Sequence, residues 1–431
     1  MKRKHVKLTN RRCNLQCENL EPRELFAGDV AASMAGGNLT LTGDNLDNSI
    51  AITGTAPNIS ITGNGTTING ASSKSFSNVS GNITIILRGG ADTVSLNGVK
   101  TKSLNVDTGA GDNSSGNDSV TIEGSSTFNG NVSILTGNGA DLVHVLGIAT
   151  TGNLYIETGN EADTVDFEDP HRSIGGNLTI LTGRGMDKVG VDATDIAGNL
   201  FVDTGADADD FNMEEVSIDK DATILTGSGA DTFKIAILEA LEVTVGRNLL
   251  IDTGSDADNI QINLLSVTRE ASIFTGAGDD IVSIGLGVAT SAATATNHFS
   301  RELSIDMGSD SDTLKLTDTT VVQNLNVFLG VGSDKADLKN VYVSKTAWLD
   351  ARTGNDDVTL DHVVATDALY VLLGGGDDQL RIRDSSSKML SVDGGSGNDK
   401  LFTKGYTAAN TLGNNAFGKF KKFGKISMGA W

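Results

Sequence analysis

Residues Gly176 to Ala197 read GNLTILTGRGMDKVGVDATDIA, and the fold follows from how this stretch is built. Leu178 and Ile180 alternate with Asn177 and Thr179 ahead of a Thr-Gly-x-Gly-x-Asp turn, and Val189 and Val191 alternate with Lys188 and Gly190 after it. A period of two marks half-buried strands. Two strands per unit are plain, and a third short one is expected around Ile196. The turn recurs at Gly43, Gly63, Gly89, Gly109, Gly137, Gly159, Gly183, Gly205, Gly227, Gly254, Gly276, Gly308, Gly330, Gly354, Gly374 and Gly394, with spacings of 20 to 32 residues that cluster at 22.

One such unit cannot bury its apolar face alone. Stacking successive units lays strand on strand at about 4.8 Å and closes a continuous apolar column. The expected fold is all-β, a right-handed parallel β-helix (solenoid) of about 16 coils of roughly 22 residues, extending roughly 75 Å at that strand spacing. A leucine-rich repeat needs its own Leu and Asn signature, and a propeller needs a period nearer 40. Glycine supplies the left-handed backbone of the bends at no steric cost.

Composition agrees with a stacked aliphatic core. Across 431 residues there are 52 Gly, 3 Pro and only 5% aromatics, too few for a large aromatic interior. No run approaches 18 consecutive apolar residues, so no transmembrane span is expected. The formal charge is -22, although Lys2, Arg3, Lys4, Lys7, Arg11 and Arg12 crowd the first twelve residues without an acid. An acidic body argues against nucleic acid, whose phosphates call for a basic face, and it permits divalent cations. Cys13 and Cys17 are the only cysteines, so the repeat region has neither a disulfide framework nor a thiolate metal site.

An Asp follows most turn glycines by four residues: Asp47, Asp141, Asp163, Asp187, Asp209, Asp231, Asp258, Asp280, Asp312, Asp334 and Asp378, with Asp92, Asp357 and Asp399 one residue out of step. Stacking brings these carboxylates near one another, and like charges one strand apart repel by about 1 kcal/mol per pair in water and more in a protein. Two devices offset this. Each Asp can cap its own turn by accepting backbone N–H bonds, or Ca2+ can sit between turns, held by carboxylate and carbonyl oxygens.

The turns TGAGDD (Thr275 to Asp280), GGGDD (Gly374 to Asp378) and GGSGND (Gly394 to Asp399) resemble the calcium-binding nonapeptide of RTX, or haemolysin-type, repeats. That resemblance implies Asp279, Asp280, Asp377, Asp378 and Asp399 as candidate Ca2+ ligands. Most turns here carry Thr for the first Gly, and one Asp turn falls in 22 residues where the RTX roll has two in a shorter coil.

The N-terminal segment MKRKHVKLTNRRCNLQCENLEPRELFAGDV lacks the apolar core of a standard secretory signal. Leu20, Glu21, Pro22 and Arg23, followed by Leu25 and Phe26, resemble the LEPR-XLL segment of large exported proteins of planctomycetes and some other bacteria. The resemblance implies an extracellular or cell-surface protein. Residues 1–36 read as a poorly ordered basic leader, 37–403 as the β-helix, and 404–431 as a basic aromatic cap or tail in which Phe417, Phe420, Phe423 and Trp431 close the open end. Attachment of Lys419, Lys421, Lys422 and Lys425 to an anionic surface is the alternative.

Three coils are long: DNSSGND (112–118) interrupts the Gly109 turn, and extra residues lie at 236–245 and 286–300. The last two are two coils apart and both follow the second strand, so they are expected on one side. Catalytic β-helices need a carboxylate cluster that breaks the repeat, whereas here the acids follow it and His144, His171, His298 and His362 fall in different coils and phases. Glu161, Asp163, Asp166, Glu168 and Asp169 read as a solvated acidic face. No catalytic or cofactor-binding residues are assigned. The expectation is an exported non-catalytic structural or adhesive protein, with cell-wall or extracellular polysaccharide or other surface proteins as partners. The alternative is a polysaccharide-active lyase or glycoside hydrolase with its site under the two late insertions.

Overall fold

The computed structural model describes residues 28–109, 116–168, 172–237, 241–285, 297–405, 407–408 and 423–428. Among these there is no helix, and hence none long and apolar enough to cross a membrane. The chain is a parallel β-solenoid of about fourteen turns.

The coil of the opening sequence shows the plan. Strand Leu178–Leu181 belongs to the first sheet, and strand Lys188–Ile196 crosses from the second sheet to the third. The third strand expected at Ile196 is thus present, reached through a bend at Ala193, whose φ is +45°. Each residue stacks on its like in the next coil: Leu178 on Leu200, Ile180 on Val202, Val189 on Phe211, Val191 on Met213 and Ile196 on Ile218. These side chains are 0–1% exposed, while Thr179, Leu181 and Gly190 between them are half-buried. Phe211 and Phe233 stack in the core at 4.9 Å between ring centroids.

Arg172 breaks the aliphatic rule. Only 1% exposed, it donates from Nε to the Val145 carbonyl (2.9 Å) and from Nη1 to the Asp192 carbonyl (2.7 Å). A buried guanidinium is tolerable because it meets the carbonyls of the bends between the second and third sheets.

At the first corner the glycine is required twice over. Gly205 has φ +97°, and a Cβ added there would lie 1.8 Å from the Gly183 carbonyl oxygen of the neighbouring coil. Four coils are registered differently from the sequence alignment, the first being that of Gly43, where Asp44 takes the position of Gly205. The other three slip likewise. The residue equivalent to Gly205 is Arg88 (φ +79°), Arg352 (φ +63°) and Gly395 (φ +79°), not Gly89, Gly354 and Gly394. This slip explains the aspartates that looked out of step.

Gly63 is no coil corner. It ends strand Asn58–Gly63, which runs antiparallel to Ser49–Thr55 in a hairpin excursion from the first coil. Strand Asp29–Ala35, within the segment assigned to the leader, runs antiparallel to Asn38–Thr42 and turns Val30 and Ala32 into the core. At the other end Phe423–Met428 pairs in parallel with Asp399–Lys404, and Thr407–Ala408 with Ser386–Asp393. The LEPR-XLL segment and the aromatic cap and lysine side chains of 417–431 lie outside the described residues. The late insertions leave from one corner, since their returning strands Val243–Val245 and Asn297–Phe299 are both paired to Leu265–Val267. The second insertion is shorter than its sequence suggested: His298 and Phe299 belong to the third sheet, with Phe299 fully buried. Residues 110–115, 238–240 and 286–296 are outside the described residues.

Candidate functional site: the aspartate ladder and the outer face of the second sheet

The turn aspartates form one ladder along the whole stack. The backbone N–H of Asn48 donates to Asp92 Oδ1, that of Asp92 to Asp118, and so on through Asp141, Asp163, Asp187, Asp209, Asp231, Asp258, Asp280, Asp312, Asp334, Asp356, Asp378 and Asp399, at 2.7 to 3.1 Å. Each carboxylate therefore caps the turn of the neighbouring coil rather than its own. The reason is geometric: in a stacked corner the N–H of one Asp points along the solenoid axis to where the next side chain folds in. Asp118, inside the first insertion, and Asp356, beside the expected Asp357, are members that the alignment missed, and the amide Asn48 rather than Asp47 stands at the start.

These side chains are 0–3% exposed. From Asp141 to Asp399 the second oxygen, Oδ2, is buried without a hydrogen-bond partner. Burial, partly opposed by the backbone donors, pushes the carboxyls of Asp163 and Asp312 up to about 8, those of Asp92, Asp209, Asp258 and Asp356 to about 7, and those of Asp141, Asp334 and Asp378 to about 6. Neighbouring ladder carboxylates add to the rise at Asp163, Asp209, Asp258, Asp312 and Asp356.

Beside the ladder runs a buried threonine column, Thr108, Thr136, Thr158, Thr182, Thr204, Thr226, Thr253 and Thr275, which continues as Met307, Leu329, Ala351 and Leu373. The Thr136, Thr182, Thr204, Thr226 and Thr275 hydroxyls donate along the stack to the next coil's carbonyl. They face the carboxylates and lower their pKa, an aid absent from Asp312 onward.

The candidate calcium residues divide between two environments. Asp280, Asp378 and Asp399 are ladder members, 0–1% exposed and already accepting a backbone N–H. Asp279 and Asp377 lie in an outer, exposed row, where their Oδ1 atoms accept from Ser311 (2.8 Å) and Asn398 (2.9 Å). Among the described residues the five do not gather into a group of three with their ligand atoms close enough to share an ion.

Such groups occur elsewhere. His144 and Asp166, 22 residues apart, are register partners on the outer face of the second sheet. His144 Nε2 lies 3.4 Å from Glu168 Oε2 and 4.0 Å from Asp166 Oδ2. Burial and the adjacent Glu168 push the Asp166 carboxyl above its ordinary range. His144 is out of phase with the other histidines of the sequence, but one coil of register brings it to the two acids. A second group, Asp361, His362 and Asp384, is already satisfied: Arg383 grips both Asp361 oxygens and His362 Nδ1 lies 2.7 Å from Oδ1, which holds the Asp361 carboxyl below its usual range.

No protein-family model matches the chain, and no curated protein matches it. Among solved structures it is similar to a hyperactive, Ca2+-dependent, β-helical antifreeze protein from an Antarctic bacterium, with 19% identity over 76% of this chain and 80% of that one and a TM-score of 0.38.

Proposed function

We propose that this chain is an exported, non-catalytic rod that serves a structural or adhesive role at the cell surface. The observation that carries this reading is the unbroken ladder from Asn48 to Asp399, in which the repeated acids are consumed in holding coil to coil. A contact face for an adhesive role is offered on the first sheet, where Trp348 and Tyr370 pack at 5.2 Å between ring centroids. Beside them Arg352 lies over Phe328 and pairs with Asp306. Aromatic faces flanked by polar groups suit the C–H faces of sugars, which makes an extracellular polysaccharide the favoured partner. Calcium enters as a counter-ion of the outer turn carboxylates such as Asp279 and Asp377, since a further ligand role for the buried Asp280, Asp378 and Asp399 has no open approach.

The experiment is depletion of the full chain from solution by insoluble cell-wall polysaccharides, with and without Ca2+, while reducing ends and unsaturated products are assayed. Binding without product release, weakened by Trp348→Ala, is the expected result. Product release, or no binding to any surface polysaccharide, would sink the adhesive reading. Calorimetry on the same chain is expected to show weak Ca2+ uptake that salt abolishes; tight stoichiometric uptake with a large thermal shift would instead place ions within the turns.

A further inference from the structure

The group on the outer face of the second sheet has the composition and spacing of a metal site. A tetrahedral ion with bonds of about 2.0–2.1 Å holds its ligand atoms roughly 3.3–3.4 Å apart. The 3.4 Å separation of His144 Nε2 from Glu168 Oε2 matches that edge, and all three ligand atoms lie within 4.8 Å of one another. His144 Nε2 is itself inaccessible and has no hydrogen-bond partner, although the ring as a whole is 25% exposed. It is thus directed at the two carboxylates.

The scaffold keeps the arrangement open on one side. The register partner of Asp166 in the next coil is Gly190, which contributes no side chain. Its absence leaves an outward-facing notch of about 240 Å³, lined by Asp166, Gly190, Asp192, Asp210, Asn212 and Lys188. Asp192 is not free to fill the notch, because its Oδ1 accepts from Asn212 Nδ2 (3.3 Å) and from the Glu214 backbone (3.1 Å). The notch meets the trio at Asp166, and Glu168 on its other side is more than half exposed, so an ion there has three protein ligands and solvent beside two of them.

We propose that His144, Asp166 and Glu168 bind one divalent transition-metal ion of the Zn2+ class, which clips two neighbouring coils together. The imidazole nitrogen selects against Ca2+ and Mg2+, which take oxygen ligands, and suits zinc and its first-row neighbours. Two carboxylates and one neutral imidazole balance the ion's charge. The site goes beyond the rod reading and stands or falls separately from it, since neither needs the other.

The test is calorimetric titration of the metal-stripped full chain with ZnCl2. Cys13→Ser and Cys17→Ser are carried throughout, so that thiols near the N-terminus do not compete. One site per chain is expected, weakened at least about 100-fold by His144→Ala and at least about 10-fold by Glu168→Gln. His362→Ala is expected to bind as the parent does. Glu168 is more than half exposed, so its variant folds and keeps the test decisive should His144→Ala be unstable. Co2+ is expected to give a ligand-field absorption spectrum that Zn2+ bleaches and millimolar Ca2+ leaves intact. Equal zinc binding by the parent and both site variants, or displacement of Co2+ by Ca2+, overturns the assignment.

Discussion

Gly374 has φ +90° and no room for a side chain, since an added Cβ would lie 1.7 Å from the Arg352 carbonyl oxygen, whereas at Gly375 the nearest atom is Ser396 Oγ at 3.2 Å. The position of Gly375 is filled in other coils by Asn160, Arg184, Ala206, Ser228, Ala277 and Val331, which form the same ladder of single bridges. Gly375→Ala is therefore expected to raise the thermal midpoint, by the equivalent of about 0.4–1 kcal/mol, through a less flexible unfolded chain. Gly374→Ala is expected to cost more than about 2 kcal/mol, because strain and a backbone clash add. Paired thermal melts decide it, and equal effects would refute the stacking argument. The glycine count revealed that bends recur. It did not reveal which glycine bends, because Arg88 and Arg352 also adopt the left-handed conformation, and an alignment on Gly89 and Gly354 slips by one residue.

The ladder is an element that belongs to no single strand, and its chemistry sets the pH response. An aspartate in the unfolded chain titrates at about 3.9, and burial raises the ladder carboxyls from Asp141 to Asp378 above that, to about 6 at Asp141 and about 8 at Asp163 and Asp312. The native chain then holds more protons than the unfolded one between about pH 4 and 8. Stability from this source is complete below about pH 4 and is lost as pH rises through the native values. Thermal unfolding is expected roughly 5 °C or more higher at pH 5.5 than at pH 8.5, and a higher midpoint at pH 8.5 would contradict it. Asp258→Asn keeps an oxygen for the Asp231 N–H, removes the buried charge and turns an NH2 toward the Thr253 hydroxyl, which has no partner. It is expected to stabilise at pH 8.5 by roughly 1 kcal/mol and to flatten the pH profile, while Asp258→Ala costs about 1–3 kcal/mol. The period of these acids was legible in the sequence, and so was their mutual repulsion. Their partner was not, because a bond to the next coil has a sequence separation of 21 to 44 residues that varies with each insertion. The same blindness hid His144 beside Asp166, where only register arithmetic relates the two.

A parallel stack has two open ends, and at the N-terminal one the chain supplies antiparallel strands as a stop. Asp29–Ala35 covers the outer edge of Asn38–Thr42, and Asn58–Gly63 covers that of Ser49–Thr55. An antiparallel strand offers the next copy a hydrogen-bonding pattern that does not continue the parallel register. The hairpin then finishes on Ser73–Phe76, a mostly exposed strand carrying Lys74, which further discourages pairing. Little in the Thr-Gly-x-Gly-x-Asp period foretold this cap, since its residues alternate like any coil strand and its turn differs in having Thr67 where an Asp is expected four residues after Gly63. Deleting Gly28 to Gly37 uncovers the edge of Asn38–Thr42 and removes Val30 and Ala32 from the core above Leu39 and Leu41, all of them at most 8% exposed. Because each coil contacts only its neighbours, the remaining coils are expected to keep their far-ultraviolet circular dichroism. The bare edge is expected to drive concentration-dependent association in the micromolar range, seen by light scattering, that the parent chain does not show. A deletion variant that stays monodisperse with unchanged dichroism would mean that the edge is guarded by something other than the antiparallel strand.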